Sequence, residues 1–143
     1  MSLTAFLKDN VANPFEEVEF VVSDRFKDDK GAVAWKLRAM SPDNALLASD
    51  RATVMNGRQS DIKTSTYFKN VVAETVVYPN LRDKELQDSY GVMDPGQLLN
   101  KMLNSAEFNK LLEKCLEING LNKTFDDLKT EVKSTLESDE SIK

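Results

Sequence analysis

The residues that could react are few, and the absences decide most of the chemistry. The chain has no histidine and one cysteine, Cys115. Without histidine the commonest general base near neutral pH is missing, and so is the main nitrogen ligand for metals. Neither a Ser-His-Asp nor a Cys-His arrangement can form. A lone cysteine cannot build a structural zinc site or an internal disulfide. Its place in an apolar stripe of helical spacing makes it a small hydrophobe rather than an exposed thiol. Carboxylates occur as neighbours at Glu16/Glu17, Asp28/Asp29, Asp126/Asp127 and Asp139/Glu140. Adjacent residues do not face one another on a helix or strand, so none is an acid/base pair within one element. The glycines are scattered and outline no phosphate-cradling loop. No catalytic residue, cofactor or metal is expected.

Charge and length narrow the partners. The 143 residues carry a net charge of −5 and are 41% hydrophobic, enough for one domain with a core. Residues 25–69 hold nine bases against five acids, but Asp28, Asp29, Asp43, Asp50 and Asp61 interrupt them. That interleaving fits a solvated surface, so neither nucleic acid nor an anionic membrane is an expected partner. No apolar run approaches the ~20 residues of a membrane span. Met1 to Asn10 lacks a secretory pattern, and a cytosolic location is expected.

What remains is apolar recognition, and it concentrates between Tyr78 and Gly120. Leu86, Tyr90, Met93, Leu98, Leu99, Met102 and Leu103 crowd into short segments broken by turns. Such stripes ordinarily pack into a core. Segments under ~12 residues are weak alone and order when docked, so a face for a partner is the other reading. These seven are the candidate protein-binding residues.

The elements that would position them are punctuated by caps and breakers. Leu3, Phe6 and Leu7 behind Ser2 suggest a short helix, ended at Asn13-Pro14. Val18, Phe20 and Val22 alternate with Glu19, Val21 and Ser23, and Val33, Trp35 and Leu37 alternate with Lys36 and Arg38, on either side of Asp28-Asp29-Lys30-Gly31; this predicts a β-hairpin packed on helices. Ser41-Pro42 starts a helix expected to reach Asn56-Gly57, with a loop from Gly57 to Asp61. A third helix is expected from Thr64 to Val77, although its valines and threonines leave strand open. Short helices follow over Asp83–Tyr90 and over Pro95–Asn104, the latter capped by Asp94 with Gln97 reaching back. Ser105 is expected to cap the most regular helix, which ends at Asn119-Gly120. The fold expected is mainly α (α+β), a helical domain with one small antiparallel hairpin. Residues 1–123 would form it, followed by a C-terminal helix and acidic, partly disordered tail over 124–143.

The order of these pieces resembles the XkdN-like tail assembly chaperones of phages and prophages of Gram-positive bacteria. The likeness runs from about Leu3 to Leu121. It is carried by SLTAFLKDNV, by FVVSDRFKDDKGAVAWKLRAM, and by VVYPNLRDKELQDSYGVMDPGQLLNKML followed by EFNKLLEKCLEING. The resemblance implies a non-enzymatic chaperone in the host bacterial cytoplasm. Its partner would be the tape measure protein, kept soluble until tail tube subunits surround it. It also implies a second contact, through a frameshifted C-terminal extension, with the major tail tube protein. The alternative is a structural tail component, a terminator or connector, retained in the virion. The family carries no catalytic residues to transfer onto this chain.

Overall fold

The computed structural model describes residues 2–122. The expected hairpin is present, but as two short ladders separated by a bend. Strand β1 (Val18–Phe20) pairs antiparallel with β4 (Trp35–Leu37), placing Val18 opposite Leu37 and Phe20 opposite Trp35. Further out, β2 (Lys27–Asp28) pairs with β3 (Gly31–Ala32). At the tip the Asp28 carboxylate accepts from the Lys30 amide, and Gly31 takes φ 122°, which only glycine adopts without strain. The alternation in β4 buries Trp35 and Leu37 and leaves Lys36 in water.

Helix α1 spans Pro42–Asp50, and its Ser41 cap accepts from the Asn44 amide as the sequence implied. It does not reach Asn56. The chain instead forms a second hairpin, β5 (Thr53–Asn56) with β6 (Gln59–Ile62). The expected loop from Gly57 to Asp61 is therefore mostly strand. Asn-Gly is also the strongest two-residue hairpin signal, and here Gly57 sits in that loop at φ 67°. β-branched Thr53 and Val54, just past the helix end, favour the extended form.

Helix α2 (Thr64–Thr75) confirms the third helix, and its end shows why strand stayed open. At Val76 the backbone turns extended into β7 (Val76–Tyr78). This strand joins the other side of β4, giving a three-stranded antiparallel sheet in the order β1-β4-β7. The register shifts between Lys36 and Leu37. The Tyr78–Pro79 peptide is cis, and proline has no amide with which to extend the ladder. The β content thus exceeds the single hairpin expected.

Helix α3 (Lys84–Ser89) is capped by Asp83 and α4 (Pro95–Met102) by Asp94. The Gln97 side chain reaches back, accepting from the Met93 amide. Helix α5 (Ser105–Ile118) is capped by Asn104 rather than Ser105. Asn104 and Glu107 form a reciprocal capping box, an arrangement Ser105 could not share without shifting the helix by one residue. Gly120, at φ 71°, closes its far end.

Five α-helices and three small antiparallel sheets therefore make an α+β fold among the described residues. One core joins them. Helix α2 lies at the centre, in contact with α1, α4, α5 and β7. Its Val71 and Val72 are fully buried against Trp35, Leu37, Leu98 and Leu111. Burying each of these side chains stabilises the fold by about 1.5–3 kcal/mol, which outweighs the few tenths lost by placing valine in a helix. The N-terminal residues differ from expectation. They form two single 3₁₀ turns, Thr4–Phe6 and Lys8–Asn10, and bury nothing. Three residues of helical spacing without a surface to pack on do not propagate a helix. The C-terminal helix and tail expected over 124–143 lie outside the described residues.

Candidate functional surface

The seven apolar candidates do not share one exposed face. Leu98, Leu99, Met102 and Leu103 belong to the core, Leu98 at 0% exposure. For these four the core reading applies: the helical period turns Leu98, Leu99 and Met102 of α4 inward, and Leu103 follows at its C-terminal cap. Leu86 is half-buried against the same core. Tyr90 and Met93 remain outside, and Met93 is 89% exposed. They sit in the turn between α3 and α4, where Gly91 takes φ 68°. The turn rests on buried Val92, whose amide donates to the Gln87 carbonyl.

Two further apolar surfaces lie open, and the sequence analysis proposed neither. The first is the N-terminal segment, where Leu3, Phe6, Leu7 and Val11 all face water, Phe6 at 78%. The second comprises Leu46 and Leu47 of α1 and the β5–β6 hairpin that follows it in the chain. Every residue of that hairpin is exposed. Thr53 lies opposite Ile62, and Met55 opposite Ser60. Side chains alternate across a strand pair, so exposed Met55 and Ile62 share one face. Exposed single hydrophobics are ordinary; contiguous ones mark interaction sites. The available signal was the Asn56-Gly57 dipeptide between two extended runs.

Among the described residues nothing comparable gathers for chemistry. Cys115 is buried, and desolvation pushes its thiol up to about 12. The thiolate, which is the nucleophilic form, is thereby suppressed. Among the described residues no group of histidine, cysteine and carboxylate side chains could hold a metal ion. Asp28 is spent on its turn, and Glu16 and Glu17 stand in water. Glu107 is held well below the carboxylate range, at about 2. The cause is donation from Arg25, then from Ser23 and the Asn104 amide, which are structural partners. No helix among the described residues is long and apolar enough to cross a membrane.

Folded this way, the chain is a small α+β protein whose distinctive features are exposed apolar surfaces around a capped helical body. It belongs to the phage XkdN-like tail assembly chaperone family, whose model matches residues 3–133. It is 31% identical over 126 residues to the uncharacterized protein YqbN of Bacillus subtilis strain 168, covering 83% of this chain and 85% of YqbN. It is 29% identical over 126 residues to the phage-like element PBSX protein XkdN of the same strain, with the same coverage. The crystal structure of YqbN superposes with a TM-score of 0.74 at 27% identity, covering 84% of this chain and 97% of that one.

Proposed function

We propose that this chain binds the tape measure protein of a phage or prophage tail and keeps it soluble until tube subunits enclose it. The observation that carries the reading is exposed apolar surface at three places on an acidic protein of this family: the N-terminal segment, the α1–hairpin face and the Tyr90–Met93 turn. A very long helical client with open apolar faces aggregates at working concentration. A small acidic partner hides those faces and lends them charge. Tube subunits must displace it, so each contact is weak and strength comes from many copies along the client. Tyr90 and Met93 touch the client, with Leu86 at the margin. Leu98, Leu99, Met102 and Leu103 hold the turn in place from beneath.

The role is non-enzymatic and exercised in the host bacterial cytoplasm. A second contact, with the major tail tube protein, runs through a frameshifted extension joined near residues 137–143. The test is co-expression with the tape measure protein of the same tail gene cluster. The expected result is a soluble client that co-purifies with this chain. A client that precipitates equally with and without it would overturn the reading. Peptide mapping of purified particles should find none of this chain; finding it there would favour a retained terminator or connector.

A further inference from the structure

A cleft of about 400 Å³ with a charged lining opens between α1, α2 and the start of α4. Its charged lining is Arg51, Lys69, Glu74, Arg82 and Asp94. These charges are not equivalent. Glu74 already receives Arg82 at 2.6 Å. Asp94 is committed to capping α4, accepting from the Gln97 amide at 2.9 Å. Arg51 and Lys69 make no ion pair among the described residues. The cleft therefore holds two uncommitted cations, although the protein as a whole carries −5.

Other features suit a negatively charged, hydrogen-bonding occupant. Gly96 lines the cleft with Lys69 packed close by, since a Cβ added there would lie 3.9 Å from the Lys69 Cδ. A side chain at this position would also crowd the Asp94 carboxylate at 3.3 Å. Thr66 and Asn100 add a hydroxyl and an amide to the wall. Its nonpolar lining comes from Ala48, Ala73, Pro95 and the stems of the long polar side chains, with no large hydrophobic side chain. A carboxylate entering the cleft gains charge-assisted hydrogen bonds from the uncommitted cations. Asn70 fixes the geometry: its amide donates to the Ala48 carbonyl at 3.0 Å, tying α2 to α1 behind the cleft.

The geometry points to a docking site for an acidic segment of a protein partner, with its carboxylates received by Arg51 and Lys69. This contact is separate from apolar client binding and does not depend on it. The experiment is a titration of the full chain, followed by amide NMR, with a synthetic ten-residue peptide rich in Asp and Glu. A peptide of the same sequence with Asn and Gln in their place is the control, and sodium acetate and phosphate are titrated alone.

The expected result is saturable movement of the Lys69, Gly96 and Gln97 amide signals with the acidic peptide only. Affinity should weaken with added salt, and by about fivefold or more in Arg51→Ala/Lys69→Ala. Arg38→Ala, outside this cleft, should leave it unchanged. Should the double variant lose its native spectrum, Lys69→Gln alone supplies the comparison. Equal movement with the neutral peptide, or variants that bind as the parent does, would overturn the site. Acetate or phosphate matching the peptide at equal carboxylate or phosphate concentration would identify an adventitious ion only, and would overturn it too.

Discussion

Arg25 grips Glu107 from 82 positions away, its Nε donating to Oε2 at 2.9 Å and its Nη2 to Oε1 at 2.6 Å. The same Nη2 donates to the Met102 carbonyl at 2.8 Å, the orphan end of α4. Arg25 occupies the bend between the two ladders of the first hairpin, which lets it reach across. Glu107 meanwhile completes the capping box of α5. The Arg25–Glu107 pair thus fastens the hairpin, the end of α4 and the start of α5 together. Arg25 also lies 5.0 Å from the Phe26 ring, which packs on Trp35 at 5.6 Å.

The clamp predicts a pH dependence. Glu107 sits at about 2 in the folded protein, against an ordinary value of 4.5. A depressed carboxylate contributes stability fully above the unfolded value and loses it as pH falls toward the folded one. Denaturant titrations should show that contribution intact above pH 4.5 and fading between 4.5 and 2. In Glu107→Gln this part of the acid sensitivity should disappear, and stability at pH 7 should drop. An unchanged acid profile in the variant would refute the clamp.

Asn119 predicts a larger loss from a single amide. Its Oδ1 accepts from the Met40 amide at 2.8 Å. Its Nδ2 donates to the Thr75 hydroxyl at 2.9 Å and to the Cys115 carbonyl at 2.8 Å. Thr75 is wholly buried, so removing its partner strands a polar group. Asn119→Ala should cost about 1–3 kcal/mol in urea unfolding. Asn119→Asp should cost at least as much, because the Thr75 hydroxyl can rotate to donate but the new oxygen would face the Cys115 carbonyl, acceptor against acceptor.

Leu99 and Met93 separate packing from contact. Leu99→Ala opens the core and should cost about 2–5 kcal/mol. Met93→Ser removes an exposed side chain and should change stability by less than about 0.5 kcal/mol. Client retention in co-purification should nevertheless fall with Met93→Ser. Thermal melts and pull-downs on both variants make the comparison.

Cys115 predicts a silent thiol. At a folded value of about 12 it should not react with a maleimide or an aromatic disulfide at pH 8 over minutes. One equivalent should appear on adding denaturant. Fast labelling of the native protein would show that α5 opens locally.

Much of this arrangement was legible because local signals agreed with the final contacts. Asp94-Pro95 announced α4, and period-two residues around Asp28-Asp29-Lys30-Gly31 announced the first hairpin. The failures lie where one signal serves two structures. Asn56-Gly57 suits a helix exit and a hairpin loop alike, and only the length of extended chain on both sides chose the loop. Val76 changed from helix to strand because β4 offered an unpaired edge, which no local window contains. The Asn119 knot was read as a helix end alone, since Met40 and Thr75 are distant in sequence. The candidate surface was the least legible part. Apolar residues read alike whether they pack inward or face water, and α4 with its cap residue Leu103 turned four candidates inward while Phe6 and Met55 stayed out.

The Asn119 anchorage has a mechanical consequence. A protein that takes hold of this chain beyond residue 121 would pull first on Leu121, whose amide donates to the Leu116 carbonyl at 2.7 Å, and next on the Asn119 side chain. From there the force divides between the start of α1, through Met40, and the junction of α2 with β7, through Thr75. Traction from that direction is thereby shared among three elements instead of loading the last turn of α5 alone.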